Sequence, residues 1–369
     1  MRPAFASTRQ AAAFALLLLV LLLLPALLTK SILPSREQIY SSIWWENGAF
    51  PYIDEQIFAE KGDIDIAFVG PSHIWNAINT PYVQEKLSEK LGRPAVVRSI
   101  CWGGAGYDEL YFIVQDLLQH RKVHMVVFYD AYSESDMPNT LAPRWFRFGD
   151  NAEALRGLPL RFKASYYFAS IIGVPRSLLG MIRSTLPDYP FPSERNYWEI
   201  KNKAESITSR LGSLAMRGGF TPNVSAMSMP FEVYTPLITA NPSDACIYSE
   251  STKGMFRFTS ILPSWQLHFA RKFAGLADES KCKFVLLHLP VVAESRDTTI
   301  NEREFWPEAL HADIAMVGIP PAKLFDGMTD EQVKKLYADP FHFNKNGQDY
   351  FTPLVTTSLL DIYAAQKHN

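Results

Sequence analysis

Ile64-Asp65-Ile66-Ala67-Phe68-Val69-Gly70-Pro71-Ser72-His73 is the stretch whose reading decides the fold. Its first six residues form a short apolar run closed by glycine, and a helical pattern follows from Tyr82 to Leu91. The alternation repeats. Ala95 to Ile100 reads as a second strand, Leu110 to His120 as a helix and Val123 to Tyr129 as a third strand. Strands and helices alternating at this spacing predict βαβ units and a parallel sheet. Between about 133 and 258 the pattern breaks, in a stretch that mixes Pro, Trp, Arg and aromatic residues with helical pieces near 152–183 and 197–216. So long a break is usually functional or disordered, and this one is too hydrophobic for disorder. It reads as an insertion covering or bordering a site. The α/β pattern then returns. Trp265, Phe269, Phe273 and Leu276 form one stripe of an amphipathic helix, Lys283 to Leu289 a strand, Glu331 to Tyr337 a short helix, and a last helix runs from Gly347.

Composition bounds the rest. The chain has 369 residues, 47% hydrophobic and 20% charged, enough for one large α/β domain or two smaller ones. Its net charge is −2 and no block of Lys and Arg occurs, which sets nucleic-acid binding aside. The 13% aromatic content fits a domain working beside a membrane or binding an extended ligand, and equally a large aromatic core. Cys101, Cys246 and Cys282 are too few and too scattered for a disulfide framework or a zinc site. Cys101 and Cys282 border apolar runs and read as small buried hydrophobes. No His or acidic cluster has metal-ligand spacing and no phosphate-binding glycine loop occurs, so neither metal nor cofactor is expected.

From Ala11 to Leu28 there is no charged or strongly polar residue, a length close to that needed to span a bilayer. Signal peptides have a shorter apolar region and a small-residue cleavage site, and Ala26-Leu27-Leu28-Thr29 offers no Ala-x-Ala pattern. Residues 1–30 are therefore expected to be an uncleaved transmembrane anchor. Arg2 and Arg9 before the run and Lys30 and Arg36 after it are too balanced to fix orientation. A leading apolar segment is how such a domain is exported, so the rest of the chain is expected outside the cytoplasm. Residues 31–62, punctuated by Pro34, Trp44-Trp45, Gly48 and Pro51, read as a connector. The two Trp fit either the membrane interface or packing onto the domain.

Three features carry chemistry. Ser72 follows a strand and precedes a helix, a turn that exposes the hydroxyl and sets backbone N–H groups where an oxyanion could be stabilised. Taken alone, a serine there also fits a helix N-cap. Asp339-x-x-His342 places a carboxylate where it can orient an imidazole for general-base work. Gly103-Gly104 follows the second strand, where a residue without Cβ lets the backbone approach a ligand.

In combination these residues resemble the SGNH (GDSL-like) esterase superfamily. The family's strand followed by Gly-Asp-Ser is similar to Gly70-Pro71-Ser72. Its oxyanion-hole glycine after strand two resembles Ser99-Ile100-Cys101-Trp102-Gly103-Gly104, and its terminal Asp-x-x-His resembles Asp339-Pro340-Phe341-His342, with Asn344 and Gly347 following. The likeness covers roughly 62–132 and 260–365. It implies a three-layer α/β/α sandwich with a parallel sheet, flavodoxin-like in layout, over residues 63–369. It also implies a catalytic triad of Ser72, His342 and Asp339, with Ser72 and Gly104 donating to the oxyanion. Two positions depart. Pro71 replaces the family's Asp, which the chemistry does not require. The third block, Gly-x-Asn-Asp in the family, is Phe128-Tyr129-Asp130-Ala131-Tyr132 here, without an Asn donor and with Asp130 placed to repel an oxyanion if ionised. Asn76, one helical turn beyond Ser72, is a substitute donor.

His73, His268 and His288 compete for the base role. His268 reads as structural beside the Trp265 stripe, and His73, Asn76, Asp130 and His288 as candidate lining of the site. Anchored members of the superfamily resemble accessory proteins of surface-polymer acylation, which work beside a multi-spanning membrane acyltransferase. The resemblance thus implies an esterase or O-acyltransferase acting on a cell-surface or lipid-linked glycan through an acyl-Ser72 intermediate. A non-catalytic glycan-binding or scaffold protein of such a complex is the alternative.

Overall fold

The computed structural model describes residues 5–28, 35–43, 50–102, 106–129, 136–139, 141–145, 153–184, 246–247, 263–292 and 314–366. Strands β1 (Ile64–Pro71), β2 (Val97–Trp102), β3 (Val123–Tyr129), β4 (Cys246–Ile247), β5 (Lys283–Leu287) and β6 (Ala315–Gly318) make one sheet in the order β2-β1-β3-β5-β6-β4. Five strands are parallel, and only the two-residue β4 runs antiparallel, against β6. The chain steps outward from β1 to β2 and then returns across β1 to β3. That reversal creates a switch point at the carboxyl end of β1, where open α/β sheets bind ligands.

Helices cover both faces. Behind one lie α6 (Tyr107–His120) and α8 (Ser264–Ser280), behind the other α4 (Ser72–Ala77), α5 (Thr80–Leu91) and α11 (Lys345–Gln366), each with its own buried apolar cluster. A strand covered on both faces can be apolar throughout, and every residue of β1 is buried. Local chemistry sets the helix ends. The Asn79 side chain accepts from the Tyr82 N–H to cap α5, and Gly92 at φ 63° closes it in the left-handed region. The α8 stripe of Trp265, Phe269, Phe273 and Leu276 is buried against α6, as its spacing predicts.

Several elements differ from the sequence reading. The second strand starts at Val97 and reaches Trp102, and α6 begins at Tyr107. β6 and the one-turn helix α9 (Pro321–Leu324) had no periodic signal, because four residues are too few to show one. Residues read as connector form α2 (Arg36–Ser41), α3 (Phe50–Asp54) and a wider turn over Glu55–Ala59. Their Ile39, Tyr40, Phe50, Ile53 and Ile57 are buried in the α6/α8 cluster. Arg36 and the Tyr40 hydroxyl both reach Asp116 of α6, at 2.6 and 2.8 Å. Trp44, Trp45, the side chain of Cys246 and the helical piece at 197–216 lie outside the described residues, as does most of the stretch from 185 to 262. Cys101 and Cys282 are buried free thiols, pushed up to about 12 by burial.

The N-terminal apolar run is helical as α1 (Thr8–Leu28), with side chains described as far as Leu23. Among the described residues no helix is long and apolar enough to cross a membrane. A longer helix, α7 (Leu160–Ser184), lies against α1 and α2.

Asp65 ties three elements together near the amino end of the sheet. Its carboxylate accepts from both terminal nitrogens of Arg93, from the Val96 N–H at 2.8 Å and from the Tyr363 hydroxyl at 2.5 Å. Burial pushes its pKa up, but the bonds from Arg93, Tyr363 and Val96 outweigh this and hold it below the ordinary carboxylate value. A depressed pKa stabilises the fold above the unfolded value of about 3.9, and that stability is lost as pH falls through the folded value. Asp65→Asn is expected to lower stability by about 2 kcal/mol at neutral pH, the scale of hydrogen bonds to a charged group. Thermal unfolding followed by circular dichroism should show the gap to wild type closing below about pH 4.

Candidate active site

Ser72 is the first residue of α4, and the N-cap position belongs to Pro71. An N-terminal N–H has no partner within its own helix. The serine hydroxyl does not cap the helix. It meets His342 Nε2 at 2.8 Å, across a sequence separation of 270 residues. His342 Nδ1 in turn lies 2.7 Å from Asp339 Oδ2. The three sequence-predicted triad residues are thus joined in one hydrogen-bonded chain.

The loop that presents Asp339 and His342 is shaped largely by the aspartate itself. While Oδ2 takes the imidazole, Oδ1 accepts from the backbone N–H groups of Phe341 at 2.8 Å and His342 at 2.9 Å. Desolvation pushes the Asp339 pKa up, but the Phe341 N–H, the His342 ring contact and the His342 N–H together hold it below its ordinary value. An ionised carboxylate can only accept, so Nδ1 carries the proton and Nε2 offers its lone pair to the Ser72 hydroxyl. That is the tautomer a general base needs.

Asn344 and Gly347 hold this loop in place. The loop follows α10 (Asp330–Lys334) and closes as a hairpin, with Tyr337 bridged to Phe343 and the Ala338 N–H donating to the His342 carbonyl at 2.8 Å. The Asn344 amide donates to the carbonyls of Lys335 and Tyr337, and its oxygen accepts from the Gly347 N–H. A Cβ at Gly347 would overlap the Leu336 carbonyl oxygen and the Phe343 ring. The loop after β5 braces the far side, with Tyr337 donating to the Pro290 carbonyl and the Val292 N–H to that of Pro340. Nothing in the sequence signals this brace, since its partners lie 47 and 48 residues apart in irregular segments.

His73 stacks on His342 with centroids 4.3 Å apart and planes 22° apart, and Tyr129 stacks on His73 at 5.2 Å. Burial, and secondly the charge of His342, push the His73 pKa down to about 4, against a smaller opposing pull from Asp339. Its Nδ1 is buried with no hydrogen-bond partner among the described residues. His73 therefore stays neutral at ordinary pH and does not touch Ser72 as a base would. Phe341, 58% exposed, sets an apolar side chain at the rim beside His342.

The remaining candidates are placed as follows. Asn76 is half-buried on α4, and His288 is buried just past β5, its N–H donating to the Val317 carbonyl. His268 binds the Ala154 carbonyl on α8, away from the triad. Gly104 and Asp130 lie outside the described residues. Among the described residues no group of three His, Cys, Asp or Glu side chains is placed to hold a metal.

No protein-family model matches the chain, and a search of curated proteins found no match.

Gly347→Ala is expected to push the first turn of α11 away from the triad loop. A shift of about 1 Å in such a constellation costs about 10²-fold in rate, while the overpacking costs about 1–3 kcal/mol. The rate of labelling by a fluorophosphonate serine probe, set beside the unfolding temperature, separates the two effects.

Proposed function

We propose that the chain is a serine esterase or O-acyltransferase of the SGNH type, anchored to a membrane by α1 and acting outside the cytoplasm. The observation that carries this is the continuous chain Asp339–His342–Ser72, with contacts of 2.7 and 2.8 Å, at the carboxyl end of the central strand. A binding scaffold has no use for a serine hydroxyl aligned on an imidazole that is itself aligned on a carboxylate.

In this reading the Ser72 hydroxyl proton passes to His342 Nε2 as Oγ attacks the carbonyl carbon of an acyl ester. Asp339 holds the imidazolium that results. The tetrahedral intermediate collapses, and the leaving alkoxide takes the proton back from Nε2. An acceptor hydroxyl then gives its proton to His342, attacks acyl-Ser72 and releases the serine. The Ser72 N–H and Gly104 are the assigned oxyanion donors. The family's Asn donor is missing from the third block, and one such donor is worth about 10²–10³ in rate. The exposed Phe341 offers apolar surface to an acyl chain.

Within its described residues α1 does not by itself meet the length and apolarity of a spanning helix. The anchor reading is supported by the apolar sequence from Ala11 to Leu28 and by the 21 residues of α1, which at about 1.5 Å each reach about 30 Å, the thickness of a bilayer's hydrocarbon core. A site held at that surface meets lipid-linked or nascent glycan and a membrane acyl donor. We therefore assign the acceptor to a cell-surface or lipid-linked glycan, with a multi-spanning membrane acyltransferase as partner.

Ser72→Ala is expected to lower probe labelling and short-chain ester turnover by on the order of 10⁴-fold or more, with an unchanged circular dichroism spectrum. Retained labelling removes Ser72 as the nucleophile. The natural reaction is decided by incubating the full-length protein with an activated acyl ester, with and without glycan oligomers, and following products by mass spectrometry. Transfer gives Ser72-dependent acylated glycan and faster ester turnover when glycan is present. Free acid released at a rate no glycan changes makes the protein a plain esterase.

A further inference from the structure

Helix α7 is built the wrong way round for a water-facing surface. A helix there puts its large apolar side chains toward the core and its polar ones toward solvent. In its first two turns α7 follows that rule, with Phe162 and Tyr166 buried in the core, but beyond them the face turned to the domain carries Ser170, Gly173, Ser177 and Gly180. Both serines are buried, and each returns its hydroxyl to a carbonyl of the helix itself, at 2.6 and 3.1 Å. Gly173 packs on the backbone of Pro143, and a Cβ at Gly180 would overlap the Ser42 carbonyl oxygen. Phe168, Ile172 and Leu179, at positions i, i+4 and i+11, form the opposite stripe and are 56, 57 and 51% exposed. Small residues at the helix contact and large apolar ones outside is the pattern of helices packed within lipid.

What covers that stripe is indicated by its neighbour. α1 packs along α7, and the Tyr167 hydroxyl donates to the Leu22 carbonyl. Four consecutive residues of α1, Leu16 to Leu19, are each 46% or more exposed, so α1 is apolar around its whole circumference. A protein partner covers one side of a helix, whereas only a bilayer offers apolar surroundings on every side. The exposed stripe of α7 lies on a helix packed beside α1, and an extended exposed apolar surface marks an interaction site. α7 has no acidic residue, and its exposed Arg161 and Arg176 suit an anionic headgroup layer.

We propose that α7 is a second membrane contact, lying in the interfacial region of the bilayer beside α1 with its Phe168–Ile172–Leu179 face toward the acyl chains. The domain is then docked on the membrane at two elements. This rests on α1 being a membrane anchor and is independent of the chemistry at Ser72.

The test uses the full-length protein in nanodiscs of phosphatidylcholine with a minority of phosphatidylglycerol. Single cysteines carrying bimane are placed at Phe168, Ile172 and Leu179, with Leu19 as the α1 reference and Glu89, exposed on α5, as the aqueous one. Cys246→Ser serves as background, since Cys101 and Cys282 are buried. Circular dichroism of each variant checks folding. Nitroxide-bearing lipid is expected to quench the three α7 sites several-fold more than Glu89, and iodide to quench them several-fold less. Iodide quenching equal to that at Glu89 overturns the proposal, as does shielding from both quenchers, which would mean a protein cover. If Leu19 is lipid-quenched and the α7 sites are not, the anchor stands and α7 fails alone. If Leu19 is not quenched either, both readings fall.

Discussion

The seating of α11 against α4 is the constraint on which the site depends. Ser72 begins α4 at one end of the chain, and His342 sits just ahead of α11 at the other, so no local structure can set their separation. Thr352 joins the two helices from a buried position. Its hydroxyl donates to the Ala77 carbonyl at 3.0 Å and accepts from the Asn79 N–H at 2.9 Å, linking α11 to the end of α4 and the cap of α5. One turn earlier the Gln348 amide reaches the Trp75 carbonyl. Gly347, in the first turn of α11, then lets the triad loop approach the helix to backbone contact. A hydroxyl at Thr352 and a missing Cβ at Gly347 together fix where Nε2 meets Oγ. Hydroxyl contacts of this kind give direction more than stability, being worth about 1 kcal/mol each.

The electrostatics of the site follow the same economy. Two imidazoles lie face to face, and two adjacent positive charges at that distance would oppose each other. Burial keeps His73 neutral, so in the proposed reaction only His342 would gain charge. On the far side of His342, Asp339 is held ionised by two backbone N–H groups that also bend its loop into shape. The imidazolium is thus framed by a carboxylate at its edge and an uncharged ring on its face. A planar neutral neighbour also limits rotation of the His342 ring, which keeps Nε2 directed at Ser72 without a further hydrogen bond.

Much of this was legible in the sequence where the pattern was long or the chemistry short-range. β3 is legible at Val123–Tyr129 because both its faces are covered and an apolar run of strand length, interrupted only by His124, has few other readings. Asp339-x-x-His342 was legible because three residues suffice to close its turn. β6 was not, having only four residues, and the folded segments at 36–59 were masked by Pro, Gly and paired Trp. What seats them is the buried Asp116 on α6, with Arg36 and Tyr40 as its partners, a contact with no signature along the chain. The stripe on α7 was hidden for another reason. Periodicity reports that a helix has an apolar face and does not report which solvent that face meets. Phe168, Ile172 and Leu179 would be assigned to a protein core on spacing alone, and it is the buried Phe162 and Tyr166, with Gly173 and Gly180 packed on Pro143 and Ser42, that show the core lies on the other side.

The two halves of the proposed chemistry have different physical supports. The proton-transfer half is built from side chains that constrain one another, so it stands without any ligand. The charge-stabilising half is assigned to backbone N–H groups at Ser72 and Gly104, and the sequence after β3 reads Asp130-Ala131-Tyr132 where the family it resembles has an Asn donor. Tyr129 is committed elsewhere, its ring stacked on His73 as the last layer behind the base. The carboxyl end of β3 thus supports the imidazole. An acceptor or partner that brings its own donor to the open side would raise the rate most at the step where that partner is bound. In the proposed reaction, a preference for transfer over hydrolysis would then arise from the donor that the bound acceptor or partner brings, since water alone cannot supply one in a fixed position.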